Sequence, residues 1–112
     1  MAYDETLANR IRDAIGADPA LSEKKMFGGI AFLDRGRMFA GVSGDKLMAR
    51  VGKEHYPDCL RRKHVREMDF TGRPMQGYVY VEAPGTRSDE QLAAWLQRCR
   101  QFVGTLPAKA PQ

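Results

Sequence analysis

A glycine pair inside the stretch KKMFGGIAF is the first place where chemistry could be expected, because glycine-rich loops can cradle phosphates. A P-loop requires GxxxxGK followed by Ser or Thr, and a dinucleotide-binding fingerprint requires GxGxxG between a strand and a helix. Gly28 and Gly29 meet neither requirement, and the residues after them continue as an apolar strand. We therefore interpret the pair as structural, permitting a β-bulge or the close approach of a helix or a second chain.

Two histidines and a cysteine could be combined into a metal site or a nucleophilic pair. His55 and Cys59 stand at positions i and i+4, and His64 follows five residues after the cysteine. A zinc site needs a fourth ligand, and the sequence has no CxxC or HExxH unit to supply it. A Cys59–His55 pair would also need an orienting group and oxyanion donors. We identify no catalytic constellation, and we expect a protein that is not an enzyme and uses neither a metal nor another cofactor.

The basic segment RRKHVR, residues 61–66, is the third chemical feature. Its cations and one basic residue downstream could contact the phosphates of a nucleic acid. The candidates are Arg61, Arg62, Lys63, Arg66 and Arg73. Arg50 could extend this patch, and Tyr78 or Tyr80 could stack on a base. We favour a solvated helix end, whose dipole the cations offset, so nucleic-acid binding stays open without being favoured.

The predicted strands and loops contain more methionines and phenylalanines than surface loops usually do. We expect most of them to be core residues. Any that remain exposed would form an adaptable protein-binding surface or a dimer seam, because flexible methionines beside rigid phenylalanines can fit varied partners. The candidates for this surface are Met26, Phe27, Met38, Phe39, Phe70 and Met75.

Length, composition and charge limit the class of protein. The 112 residues are the common size of one domain, and 43% apolar with 29% charged residues is typical of a globular chain. A formal net charge of +4 permits binding to polyanions without requiring it. The two cysteines lie forty residues apart, and the N-terminus has no apolar run. With no run near the roughly 20 residues of a membrane span, we expect a cytoplasmic protein without a membrane partner.

Helical and strand periodicities predict the elements that must position these residues. Apolar residues at helical spacing after Asp4, a good N-cap, predict a helix to about Ala17. Residues 24–51 predict three consecutive strands, the first running through the glycine pair to Leu33. In the third strand, residues 46–51, apolar side chains alternate with Lys, Met and Arg, which predicts one solvated face of an antiparallel meander.

The second half of the chain continues with shorter signals. GKEHYPDCLRRKH predicts a short helix with Pro57 in its first turn. Residues 68–70 predict a loop or short strand, and residues 78–81 predict a strand. SDEQ at 88–91 is a capping box that begins an amphipathic helix ending near Gly104.

This order of elements lacks the alternating βα units of a parallel sheet. It predicts an α+β fold: a two-layer domain with a mainly antiparallel sheet of about five strands and three helices, in the order α-βββ-α-ββ-α. We expect the domain to span residues 1–106. The polar, proline-bearing residues 107–112 predict a disordered tail.

Four separated motifs, taken together, resemble the N-terminal domain of the TfoX/Sxy family. They are EKKMFGGIAF, GRMFAGVSGDKLMARV, MDFTGRPMQGYVYV and LAAWLQRC, and they occur in the family's order. The resemblance covers about residues 3–106. It implies a curved antiparallel sheet carrying helices, similar to secretion-chaperone-like folds, and the family supplies no agreed catalytic residue.

The family's named members are bacterial regulators of competence for DNA uptake, which act with other transcription factors and carry a second, C-terminal domain. We expect this chain to be a stand-alone version of the N-terminal domain. The resemblance favours a non-enzymatic regulatory or adaptor module that binds another protein, with a homodimer as one form of that contact. The alternative is a weak nucleic-acid-binding protein that uses the basic segment.

Overall fold

The computed structural model describes residues 3–26, 28–69 and 75–106, apart from the side chain of Met26. The described elements are α1 (Glu5–Ile15), β1 (Leu21–Met26), β2 (Gly29–Asp34), β3 (Arg37–Ser43), β4 (Lys46–Arg50), α2 (Tyr56–Leu60), β5 (Val65–Glu67), β6 (Tyr78–Val81) and α3 (Asp89–Gly104). A 3-10 turn, Ala83–Thr86, lies between the last two. The predicted tail and the candidates Phe27, Phe70 and Arg73 lie outside the described residues.

The strands form one antiparallel sheet in the order β1-β2-β3-β4-β6-β5. The predicted fold class is confirmed, since the protein is an α+β domain with an antiparallel sheet and three helices. The sheet has six described strands where about five were expected. In addition, β5 lies three residues earlier than the loop or strand predicted at 68–70.

The extra strand comes from the glycine pair. KKMFGGIAF was expected in a single strand, but β1 ends at Met26 and pairs antiparallel with β2, which begins at Gly29. Gly28 has a φ of +73°, a left-handed conformation that suits a tight turn and favours glycine. A side chain at Gly29 would collide with the Val42 carbonyl, so close approach is indeed required. The close neighbour is β3 of the same sheet, and not a helix or a second chain.

Helices α1 and α3 pack together on one face of the sheet, which we call the helical face. Asp4 caps α1 by accepting hydrogen bonds from the Thr6 and Leu7 amides at 2.9 and 3.2 Å. The predicted capping box of α3 is confirmed, because Ser88 and Gln91 exchange two hydrogen bonds of 3.0 Å. The core between helices and sheet is built mainly by Leu7, Ile11, Phe32, Phe39, Val42, Leu47, Val79, Leu92, Leu96 and Val103.

A register shift between β2 and β3 aims two consecutive residues at this core. Phe32 pairs with Ala40 whereas Leu33 pairs with Met38, which leaves Phe39 as the extra residue of a bulge. Phe39 and Ala40 consequently both belong to the helical core, while Met38 faces the other side. No described helix is long and apolar enough to cross a membrane.

The opposite side of the sheet, which we call the second face, is not the fully solvated face that alternation along β4 predicted. Met48 is completely buried there, in a cluster with Ala31, Met38 and Met68. The reason is nonlocal: Met68 and Met75, joined by a 2.8 Å backbone hydrogen bond, pack against the sheet from a later part of the chain.

Candidate functional site

The two thiols are placed in buried surroundings that disfavour the reactive thiolate. Cys59 on α2 and Cys99 on α3 are both fully buried, whereas His55 is exposed. Burial raises the pKa of Cys99 to about 12, and burial likewise raises the pKa of Cys59, although Arg98 and Arg62 partly offset that rise. Within the described ranges, no group of three or more His, Cys, Asp or Glu residues could hold a metal ion.

The basic segment, predicted as one patch, divides into parts that face different surroundings. The Arg61 side chain is 82% exposed and lies 3.8 Å from the carboxylate of Asp58. The Arg66 guanidinium lies 3.5 Å from the carboxylate of Glu82. Each of these two cations thus lies beside its own carboxylate, and neither lines the cavity that the residues between them help to form.

The middle of the segment does line a common site. A cavity of about 430 Å³ lies between residues 62–64, the 3-10 turn and α3, and we call it the cationic cleft. Its polar and aromatic lining consists of Arg62, Lys63, His64, Gln91, Trp95 and Arg98. The structure thus brings two of the predicted cations together with a third, Arg98, that sequence reasoning did not select.

Local geometry fixes the wall of the cleft that residues 62–64 form. His64 has a φ of +68°, a left-handed conformation that is uncommon for residues other than glycine. Its carbonyl accepts the Glu82 amide N–H at 2.7 Å. Close packing continues at Gly85, where a β-carbon would lie 2.6 Å from the Val81 side chain and 3.4 Å from that of His64.

Trp95 forms the floor of the cleft. Only 6% of this residue is exposed, and the Arg62 guanidinium lies 5.4 Å from the centre of its ring. A cation at this distance from an indole is attracted by the negative face of the ring. A weak sequence signal existed for this site: Trp95 and Arg98 are three residues apart on α3 and are therefore helical neighbours.

Two of the three described side chains in the predicted surface of methionines and phenylalanines are interior. Phe39 is completely buried in the helical core and Met38 is only 8% exposed, so the expectation that these two side chains form a surface is corrected. Both are drawn inside because the bulge in β3 directs Phe39 to the helices and Met38 to the methionine cluster. Met75 is half-buried at the edge of that cluster.

Around this buried centre, the second face presents four half-buried side chains, of which only Met75 was predicted to bind a protein partner. They are Leu33, Met75, Tyr78 and Tyr80. The Lys46 ammonium lies 5.8 Å from the ring centre of Tyr80, and the Arg50 guanidinium lies 5.5 Å from that of Tyr78. Alternation along β6 is the signal that could have identified the tyrosines, since Val79 and Val81 point to the helical core.

Comparison with known proteins finds a family that matches the sequence. A sequence model of the TfoX N-terminal domain matches residues 13–103 of the 112-residue chain, a span that includes the whole sheet and nearly all of α3. That domain is not a known family of enzymes. A search of curated proteins finds no match to the chain. Because the matched span is well over half of the sequence, the chain belongs to the TfoX N-terminal domain family.

Proposed function

We propose that this TfoX N-terminal domain protein is a non-enzymatic regulatory or adaptor module that acts by binding another protein through the second face of the sheet. One observation carries the proposal: half-buried Leu33, Met75, Tyr78 and Tyr80 surround a buried methionine centre on a face that no described helix covers. From the resemblance to competence regulators, we propose transcriptional or competence regulation as the process that this contact would serve.

The residue types on this face suit protein recognition. Tyrosine, methionine and arginine are enriched in protein–protein interfaces relative to the remaining surface. Tyr78 and Tyr80 offer large rigid rings with a hydroxyl at the solvent end, so they combine apolar contact with hydrogen bonding. Methionine beneath them is unbranched and polarizable, which allows the centre of the face to adjust to a partner's shape.

The charges at the rim indicate what kind of partner fits. Lys24 pairs with Ala31 in the sheet and so lies on the second face, as do Lys46 and Arg50. Lys24 and Arg50 have no carboxylate within 4.0 Å among the described residues, while Lys46 lies 3.8 Å from that of Asp45. A partner with an apolar centre flanked by carboxylates would complement this arrangement, because opposite charges at a rim steer association.

A capture experiment with matched variants tests the proposal. The wild-type protein, the Tyr78→Ala/Tyr80→Ala variant and a Gln97→Ala control on the exposed side of α3 would be immobilised and exposed to a lysate of the source organism. We expect a protein that the wild type and the control retain equally and that the tyrosine variant retains at least about tenfold less, because central aromatic residues dominate binding energy.

Self-association is measured in parallel by sedimentation velocity, since a second copy is one candidate partner. A dimer that the tyrosine substitutions dissociate would identify that partner. If all three proteins retain the same set and all sediment as monomers, the second face is not a binding surface and the proposal fails.

A further inference from the structure

Several positively charged side chains line the cationic cleft. Among the described residues, its lining contains two arginines, a lysine and a histidine but no carboxylate. Glu82, whose backbone amide bonds to His64, has its carboxylate 3.5 Å from the Arg66 guanidinium. At the start of α3, Asp89 lies 3.3 Å from Arg10. The cations of the cleft are therefore left to bind an anion from solution.

We infer that the cationic cleft binds a phosphate group, held by Arg62, Lys63 and Arg98. Arginine presents a planar fork of N–H donors that matches phosphate oxygens, and lysine adds a compact positive charge. The cleft volume of about 430 Å³ falls within the usual range of small-ligand sites. This site lies on the helical side of the sheet and does not rest on the protein-binding proposal.

Two features hold the site in place before a ligand arrives. Arg62 is positioned over the Trp95 ring at 5.4 Å from its centre, and among the described residues none of its side-chain N–H groups donates a hydrogen bond. The His64 turn is joined to the residue directly after β6 by the 2.7 Å hydrogen bond that the Glu82 amide donates to the His64 carbonyl. A site held in this way loses less conformational entropy when it binds an anion.

The phosphate could belong to a small molecule or to a nucleic acid. The two ligands would cover different lengths of the surface. A second cavity of about 490 Å³ continues from the cleft along α3, and Ala94 and Arg98 line both. It adds Gln101 but also the carboxylate of Glu54. A small phosphate would occupy the cleft alone, whereas a phosphodiester chain would extend past Gln101.

Trp95 supplies the measurement, because it is the single tryptophan of the sequence and forms the floor of the cleft. Its fluorescence would be followed while pyrophosphate, a short oligothymidylate and polyglutamate are titrated separately at about 50 mM salt. Equilibrium dialysis would check each affinity independently of fluorescence. The variants are Arg98→Gln, Lys63→Gln as a second lining substitution, and Arg61→Gln as the control. Arg61 belongs to the same segment but lies outside the lining.

We expect Arg98→Gln and Lys63→Gln each to weaken phosphate binding at least about tenfold while Arg61→Gln changes it less than about twofold. Loss of oligothymidylate binding in a Gln101→Glu variant that still binds pyrophosphate would identify nucleic acid as the source. Binding of pyrophosphate alone would identify a small phosphate.

Three results would overturn the inference. The first is that neither phosphate probe binds. The second is that Arg61→Gln weakens binding as much as Arg98→Gln, which would indicate diffuse attraction without a site. The third is that polyglutamate binds as tightly as the phosphate probes with the same response to the variants. Circular dichroism of each variant separates lost binding from lost folding.

Discussion

The two faces of the sheet bury apolar side chains in different ways. On the helical face, α1 and α3 close over branched and aromatic residues such as Phe39, Val42 and Leu47, all of which are fully buried. On the second face, a few methionines are buried beneath a rim of half-buried tyrosines, without a described helix above them. The difference indicates that the helical face provides most of the stability. The second face has a packed centre but leaves its rim accessible to solvent or to a partner.

Packing on the second face depends on small residues as well as on methionine. Gly41 pairs with Met48 across β3 and β4, and a β-carbon on Gly41 would lie 2.6 Å from the Met48 terminal methyl. The methionine thus fills the space that a side chain on the neighbouring strand would occupy. Ala31 on β2 pairs with Gly41 from the opposite strand neighbour, and its small side chain also leaves space for Met48.

The largest effect should follow from opening a cavity in the helical core. Phe39→Ala removes a completely buried ring, so we expect the free energy of unfolding to fall by about 3–5 kcal/mol. Urea denaturation followed by circular dichroism measures this change. A loss below about 1 kcal/mol would show that the helical face does not dominate stability, and the contrast between the faces would then be wrong.

Met48→Ala tests whether the second face is also closely packed. Met48 is fully buried, so truncation should lower the free energy of unfolding by about 2–4 kcal/mol. The matched control Met48→Leu conserves most of the volume and should cost less than about 1.5 kcal/mol. If both variants unfold at the wild-type urea concentration, the methionine cluster contributes little and its residues are free to rearrange.

Gly41→Ala sharpens the account of that packing. The added methyl group would displace the flexible end of Met48 and would also lie 2.6 Å from the Ile30 carbonyl oxygen, which is less able to move. We expect a loss of about 1–3 kcal/mol in the same denaturation experiment, as is typical of overpacking. If Met48→Ala relieves part of that loss in the double variant, the two residues are coupled through the shared space.

Local signals predicted the elements that local chemistry controls. The Ser88 capping box and the alternation of Leu47 with Met48 could be inferred because they depend on neighbours a few residues away. Whether Met48 is exposed to solvent or buried depends on Met68, which belongs to a distant part of the chain. The division of KKMFGGIAF into two strands was missed because a continuous apolar run fits one strand or a hairpin equally well.

The candidate sites show the same limit. The sequence identified Arg62 and Lys63 as cations that could bind phosphate, but the third cation of the cleft, Arg98, lies on α3, more than thirty residues later. These residues meet only because α3 packs beside the turn that follows α2. Side chains that converge from separate elements leave no fixed spacing in the sequence, so pattern reasoning could find part of the cleft but not its extent.

The smallest predicted effect concerns an ion pair at the rim of the helical face. The Arg12 guanidinium on α1 donates hydrogen bonds of 2.7 and 2.8 Å to the two carboxylate oxygens of Glu23 on β1. This contact lowers the pKa of Glu23 from its ordinary value of 4.5. The Glu23 side chain is 39% exposed, so solvent screens the pair and its contribution should stay below about 1 kcal/mol.

The direction of the pH dependence follows from the lowered pKa. A carboxylate that binds protons less readily in the folded state than in the unfolded state stabilises the fold above its ordinary pKa. That contribution is lost as the pH falls from 4.5 through the lowered value of the folded state. Glu23→Gln should therefore lower the free energy of unfolding at neutral pH and make it fall less steeply as the pH is lowered. Glu54→Gln, an exposed control, should have neither effect. Urea midpoints measured between about pH 3 and pH 7 would show this, and parallel curves for the two variants would mean that the Arg12 contact does not hold β1 to α1 in solution.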